Sequence, residues 1–142
     1  IRLFVKMQYW LIKSEPFKYS WGQFLTDART QWDGVRNYEA RNHLRAMKRG
    51  DLALFYHSNE DKAIMGIARV IKTAFPDPTA LEGDWSAVEF EPWKSFKHPL
   101  TLDRIKADPI LRNMDMIRRN RLSVVPVKAS EFKRICNWAV IL

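Results

Sequence analysis

The chain of 142 residues holds one cysteine, five glycines and three histidines, and no apolar run approaches the ~18 residues of a membrane span. Each scarcity excludes something. The lone Cys136 cannot close an internal disulfide, and neither it nor the scattered His43, His57 and His98 falls at zinc-ligand spacing, so no metal and no cofactor is expected. The few glycines form no phosphate-cradling loop and no activated nucleophile is recognisable, which argues against an enzyme. No charged segment followed by a long apolar one opens the chain, so no targeting segment is read there. These absences predict a soluble, intracellular, cytoplasmic protein with no membrane partner.

What is plentiful is positive charge and aromatic rings. Lys and Arg number 24 against 16 Asp and Glu, a net charge of +8, and there are six Trp, eight Phe and four Tyr. A chain of this length buries roughly 68–70% of the surface exposed when unfolded, enough for a single domain without staples. A basic chain leans toward phosphate, though charge alone is a weak guide. The rings say more, because a small core does not need so many and some can form a stacking surface, as in proteins that bind bases.

Residues 1–6 precede Met7 and read as an N-terminal extension or an artificial remnant, leaving one domain over 7–142. Gln8 to Ser14 is a strand apolar on both faces, ended by Pro16. Ser20 and Gln23 have capping-box spacing for a helix over 20–27. Residues 32–37 form a turn-rich segment around Gly34, and Asn37 can cap a helix over 38–48 with Ala40, Leu44 and Met47 inward. On another stripe of that helix lie Arg41, Arg45 and Lys48. Asp51 to Ser58 and Ala63 to Phe75 read as a hairpin, and Trp85 to Phe96 as a strand broken at Pro92. Thr101 caps a helix over 102–107, Asp108-Pro109 starts a further turn, Leu122 to Val127 is a strand, and Ser130 caps a final helix with Phe132, Ile135 and Trp138 inward. Strands joined by short turns predict α+β: a mixed, mostly antiparallel sheet of five or six strands, curled toward a barrel, with peripheral helices.

Several ungapped blocks carry a family resemblance: Trp10-Leu11-Ile12-Lys13-Ser14-Glu15-Pro16, Trp32-Asp33-Gly34-Val35-Arg36-Asn37-Tyr38 with Ala40-Arg41-Asn42, Gly50-Asp51, Phe55-Tyr56-His57-Ser58, Gly66-Ile67-Ala68, Pro76-Asp77-Pro78 and Arg121-Leu122-Ser123-Val124. In order and spacing they resemble the EVE domain. The resemblance departs at Phe17, where the family commonly carries an acidic residue. It implies a PUA-like pseudo-barrel, related to the YTH domains that read methylated adenine in RNA. It also implies a reader of modified bases, chiefly modified cytosines such as 5-methyl- and 5-hydroxymethylcytosine in DNA, with the base flipped into an aromatic pocket. By the same analogy, Ser14, Trp32, Asn37 and Tyr56 to Ser58 fall where the base is held.

A base reader needs a flat apolar wall, a few polar groups at the base edge and positive charge for the backbone. Trp10 can serve as core or pocket wall. Trp32, between a polar stretch and Asp33-Gly34, reads as the stacking ring. Ser14, Asn37, His57 and Ser58 can present donors and acceptors, but Asn37 can also simply cap its helix. Strand alternation sends Tyr56 and Ser58 to one face and His57 to the other, so all three share a pocket only if the strand bulges. Trp85, Trp93 and Trp138 read as core and Trp21 as a half-exposed packing residue. Arg36, Arg41 and Arg45, with Arg112, Arg118, Arg119 and Arg121, are candidates for phosphate or for an ordinary solvated face. The leading expectation is a non-catalytic module reading a modified base, in DNA before RNA. An RNA-binding PUA-like module, a nucleotide-processing enzyme and a protein-interaction domain with no nucleic-acid role are the alternatives.

Overall fold

The computed structural model describes residues 7–139, so residues 1–6 and the last three lie outside it. Strands run over Tyr9–Ser14 (β1), Thr30–Trp32 (β2), Leu52–His57 (β3), Ala63–Pro76 (β4), Ser86–Thr101 (β5) and Val124–Val127 (β6), and helices over Trp21–Asp27 (α1), Tyr38–Ala46 (α2), Leu102–Ala107 (α3), Asp115–Arg118 (α4) and Ala129–Ala139 (α5), with a 3-10 turn at Leu111–Asn113. The strands form one sheet in the order β2-β5-β4-β3-β1-β6. Only β1 and β3 pair in parallel, Tyr9 opposite Leu52 through Ser14 opposite His57. The other neighbours are antiparallel. A parallel pair requires a long crossover, and here α1, β2 and α2 supply it. The expected α+β class and mixed six-stranded sheet are therefore observed, and β2 and β6 remain as its two unpaired edges. No helix among the described residues is long and apolar enough to cross a membrane.

Each face of the sheet carries a core. Leu52, Leu54 and Tyr56 of β3 join Leu11, Val125, Phe132 and Ile135 on one side, while Ala53 and Phe55 join Trp10, Ile12, Phe24 and Leu44 on the other. That is the period-two alternation of a strand buried on both faces. In β4 the parity slips: Ile64 and Ile67 share one face and Ala68 and Val70 the other, across an irregularity that includes Gly66. Gly66 is needed there for space rather than for its dihedrals. A Cβ on it would run into the Trp21 indole and lie 2.7 Å from the Lys94 carbonyl oxygen.

Local signals placed most elements. Ser20, Asn37 and Thr101 accept from the backbone N–H groups of Gln23, Ala40 and Arg104, as their capping spacing predicts. Four expectations are corrected. The segment read as a turn from residue 32 is led into by a three-residue strand, β2, which ends on Trp32 and is held by pairing with β5. Pro92 does not interrupt its strand but sits where the register shifts, a place a strand proline tolerates. The last helix starts at Ala129, with Glu131 accepting from the Lys128 N–H, so Ser130 lies inside it rather than capping it. The tryptophans also change places. Trp21 is 5% exposed, whereas Trp93 and Trp138 are 39% and 36% exposed and Trp85 is half-buried.

Candidate functional site

A cavity of about 800 Å³ opens at the C-terminal ends of β1 and β2, and residues from β1, β2, the 33–36 turn, the 58–59 turn and the 120–123 segment line it. Its shape follows from how those ends are tied. β1 stops at Ser14, two residues before Pro16, and the Lys18 and Tyr19 N–H groups turn back onto the Glu15 carbonyl, 2.9 Å each. The Ser14 hydroxyl donates to the Tyr19 carbonyl at 2.6 Å, and the Ser58 N–H donates to the Ser14 carbonyl at 2.9 Å. The ends of the parallel pair are thereby locked together with Ser14 and Ser58 side by side.

Trp32 ends β2 and walls the cavity. Its indole meets Tyr19, Phe55 and Phe90 edge to face at centroid distances of 6.4, 5.6 and 5.9 Å, which fixes the plane of the ring. The turn after it is built on a side chain far along the chain. Asp77, fully buried, accepts from the Gly34 N–H at 2.8 Å, from Arg36 at 2.9 Å and from both the N–H and hydroxyl of Thr79 at 2.7 Å. Gly34 takes φ +76°, the left-handed conformation that suits glycine, to aim its N–H at that carboxylate. Burial alone would raise the Asp77 carboxyl, but the hydrogen bonds from Thr79, Arg36 and Gly34 outweigh it and hold it well below the usual carboxylate range.

Positive charge reaches the cavity from Lys13, Arg36 and Arg121, and from Lys18, which is paired with Glu15 at 3.2 Å. The Lys13 ammonium donates to the Asn120 carbonyl at 3.1 Å, and burial pushes it down from its ordinary value. Asn59 donates to Glu15 at 2.7 Å, which leaves its amide carbonyl for another partner. Among the described residues, no three His, Cys, Asp or Glu side chains converge to hold a metal ion.

Of the residues singled out in the sequence, Ser14, Trp32, Ser58, Arg36 and Arg121 converge on this cavity. The others do not, each for a definite reason. Trp10 is core, its indole N–H donating to Asp51 at 3.1 Å. Asn37 is occupied by its helix cap. Tyr56 lies on the opposite face of the sheet, in the core there, and edges a smaller cavity of about 320 Å³. His57 is buried beneath α1: its Nε2 accepts from the Trp21 N–H at 2.9 Å, which puts the ring proton on Nδ1, 3.0 Å from Asp61. The arginine stripe of α2 turns to the 84–86 loop, Arg45 pairing with Asp84 and bonding Ser86, and Arg41 donating to the Asp84 carbonyl. Arg119 pairs with Glu39 across the start of α2. Arg118 is exposed at the end of α4. Asp77 is the important residue that residue-by-residue reading missed, and an acidic residue between two prolines was the available signal.

Three comparisons bear on this arrangement. The EVE domain family model matches residues 8–138. Thymocyte nuclear protein 1 of Mus musculus is 36% identical over 87% of this chain and 70% of its own length. Among solved structures, Rpa0253 from Rhodopseudomonas palustris matches with a TM-score of 0.89 and 45% identity, covering 94% of this chain and 93% of that one. Human THYN1 protein, in complex with 5-methylcytosine-containing DNA, matches with a TM-score of 0.85 and 33% identity, covering 94% and 98%.

Proposed function

The chain belongs to the EVE domain family, and from that premise we propose that its cavity receives a modified base of DNA, 5-methylcytosine first, turned out of its strand and held without any bond being made or broken. The observation that carries this reading is the convergence of a fixed Trp32 ring, the Ser14 and Ser58 hydroxyls and the Arg36 and Arg121 cations on one opening of about 800 Å³. That volume is in the range of roughly 300–1,000 Å³ usual for small-molecule sites. The relative bound to 5-methylcytosine-containing DNA shares the fold over nearly its whole length.

The chemistry of the lining suits a cytosine. The Ser14 proton is committed to the Tyr19 carbonyl, so toward the cavity that hydroxyl is an acceptor, matched to an exocyclic amino group. The Asn59 carbonyl is a second acceptor, and the Ser58 hydroxyl is free to rotate and donate to a ring nitrogen or carbonyl. Stacking on Trp32 is worth roughly 1–3 kcal/mol, about the cost of unstacking the base, so these hydrogen bonds must supply the surplus.

Titrating single- and double-stranded oligonucleotides that carry cytosine, 5-methylcytosine, 5-hydroxymethylcytosine or N6-methyladenine tests the reading. Tighter binding of a modified cytosine is expected, and Trp32→Phe should narrow the ratio while keeping the edge-to-face packing. Equal affinity across the panel, or preference for a structured RNA over every DNA probe, would overturn it.

A further inference from the structure

Beside the cavity lies a second aromatic surface that the base-holding site does not use. Tyr38, the first residue of α2, is 66% exposed, yet its ring is stacked on Trp85 with centroids 4.9 Å apart and planes 20° from parallel. The Arg41 guanidinium lies 4.9 Å from the Tyr38 ring and 5.8 Å from the Trp85 ring. Those three distances put the cation beside the stacked pair, not across Tyr38 from Trp85. One face of Tyr38 is therefore covered by Trp85 while the outer face is open.

The pair is held firmly. Arg41 is largely buried and donates to the Asp84 carbonyl at 3.0 Å and to the Asn42 amide oxygen. Gly83, at φ +87°, packs so closely on Trp85 that a Cβ there would lie 2.6 Å from the indole nitrogen. Asp84, the carboxylate in the same loop, is taken up by Arg45. A loop that needed only to be closed onto α2 would be closed by Arg41 and Arg45 alone. It would have no use for a tyrosine ring held flat with its outer face in water. The platform is also joined to the cavity: Arg36, which lines the cavity, has its guanidinium 5.6 Å from the Trp85 ring.

We propose that the open face of Tyr38 stacks against a nucleotide flanking the flipped base, so that the Tyr38–Trp85 pair with Arg36 and Arg41 forms a second subsite along the same DNA strand. A pre-stacked ring with adjacent cations is the device by which single-stranded nucleic acid is held without regard to sequence, because every base offers a π face. The subsite therefore contributes affinity for strand and none of the choice between modified and unmodified cytosine. It rests on the reading of the cavity given above only for the identity of the strand.

The test uses the full chain, Tyr38→Ala and Tyr38→Leu, with Tyr38→Phe as the ring-keeping variant. Binding is measured to 5-methyl-2′-deoxycytidine monophosphate, to a single-stranded oligonucleotide carrying one 5-methylcytosine, and to the same oligonucleotide with an abasic residue at each neighbouring position in turn. Loss of the ring should weaken the oligonucleotide roughly tenfold, the stacking of about one base. The mononucleotide and the modified-to-unmodified ratio should be unmoved, and Tyr38→Phe should bind as the parent does. At one neighbouring position the abasic substitution should weaken the parent but cause no further loss in Tyr38→Ala. Unchanged oligonucleotide affinity in Tyr38→Ala and Tyr38→Leu, or additive losses at every abasic position, overturns the proposal. Coupled losses in a protein that does not distinguish modified from unmodified cytosine would uphold this subsite and reject the reading of the cavity.

Discussion

Asp77 shows how one carboxylate can set the shape of a site it does not line. It reaches across more than forty residues to orient Gly34 and Arg36, and Arg36 is shared by the cavity and the aromatic pair beside it. Replacing Asp77 with Asn keeps the shape but gives up the charge, and a hydrogen bond to a charged group is worth about 1.5–3 kcal/mol. Because the folded carboxyl is held well below the ordinary 3.8, its contribution is complete above that value and is lost as the pH falls through and beneath it. The Tm of the parent should therefore exceed that of Asp77→Asn by a constant amount above about pH 5, and the gap should close as the pH is lowered below 4. A gap of the same size at pH 2.5 and pH 7 would mean that the charge is not what Asp77 contributes. Asp108, drawn down to about 2 by Arg134, loses its contribution over the same window in both proteins and so cancels from the comparison.

At the scale of elements, the docking of α1 on the sheet holds up one side of the cavity, because the segment leading into α1 carries Tyr19 and packs it against Trp32. Three contacts fix the start of α1: His57 accepts the Trp21 N–H, the Trp21 indole donates to the Ser95 hydroxyl at 3.1 Å, and the same indole lies over Gly66. Gly66→Ala places a methyl between that indole and the backbone of β5, which cannot give way. An overpacked core loses typically about 1–3 kcal/mol, and the value here should fall at the upper end. The midpoint of urea unfolding should drop accordingly, and a midpoint matching the parent's would show that α1 is not seated as described. The same elements explain what the sequence could reveal. Caps at Ser20, Asn37 and Thr101 and the alternation of β3 are local patterns, and all were legible. β2 was not, since three residues become a strand only through their partner in β5. Nor were the burial of Trp21 and the exposure of Trp93 and Trp138, because each depends on where an element docks and not on its own neighbours. Ser14, Trp32 and Ser58 were found through the motif blocks. Asn37 and His57 came with them from the same blocks, although their side chains are engaged in structure.

For the whole molecule, the net charge of +8 is not gathered at the cavity, where several of the nearby arginines are held in ion pairs. Arg36 answers Asp77, Arg45 answers Asp84, Arg119 answers Glu39 and Arg134 answers Asp108. Of the four cations that line the cavity, Arg36 and Lys18 are held in ion pairs, with Asp77 and Glu15, while Lys13 and Arg121 join none among the described residues. Few phosphates can then be neutralised. With about three, the logarithm of affinity for single-stranded DNA should fall with the logarithm of salt at a slope near −2, from roughly −0.7 per phosphate. Arg121→Ala should remove about one phosphate's share of that slope and weaken modified and unmodified oligonucleotides by the same factor. Arg119→Ala should leave the slope where it was, since its charge is already answered by Glu39. Trp32→Phe should do the reverse of Arg121→Ala, moving the ratio between modified and unmodified cytosine and not the slope. The division of labour is therefore measurable in one experiment, a salt series on three variants. An Arg121→Ala protein that lost discrimination while keeping its salt dependence would place that guanidinium on the base and not on the backbone.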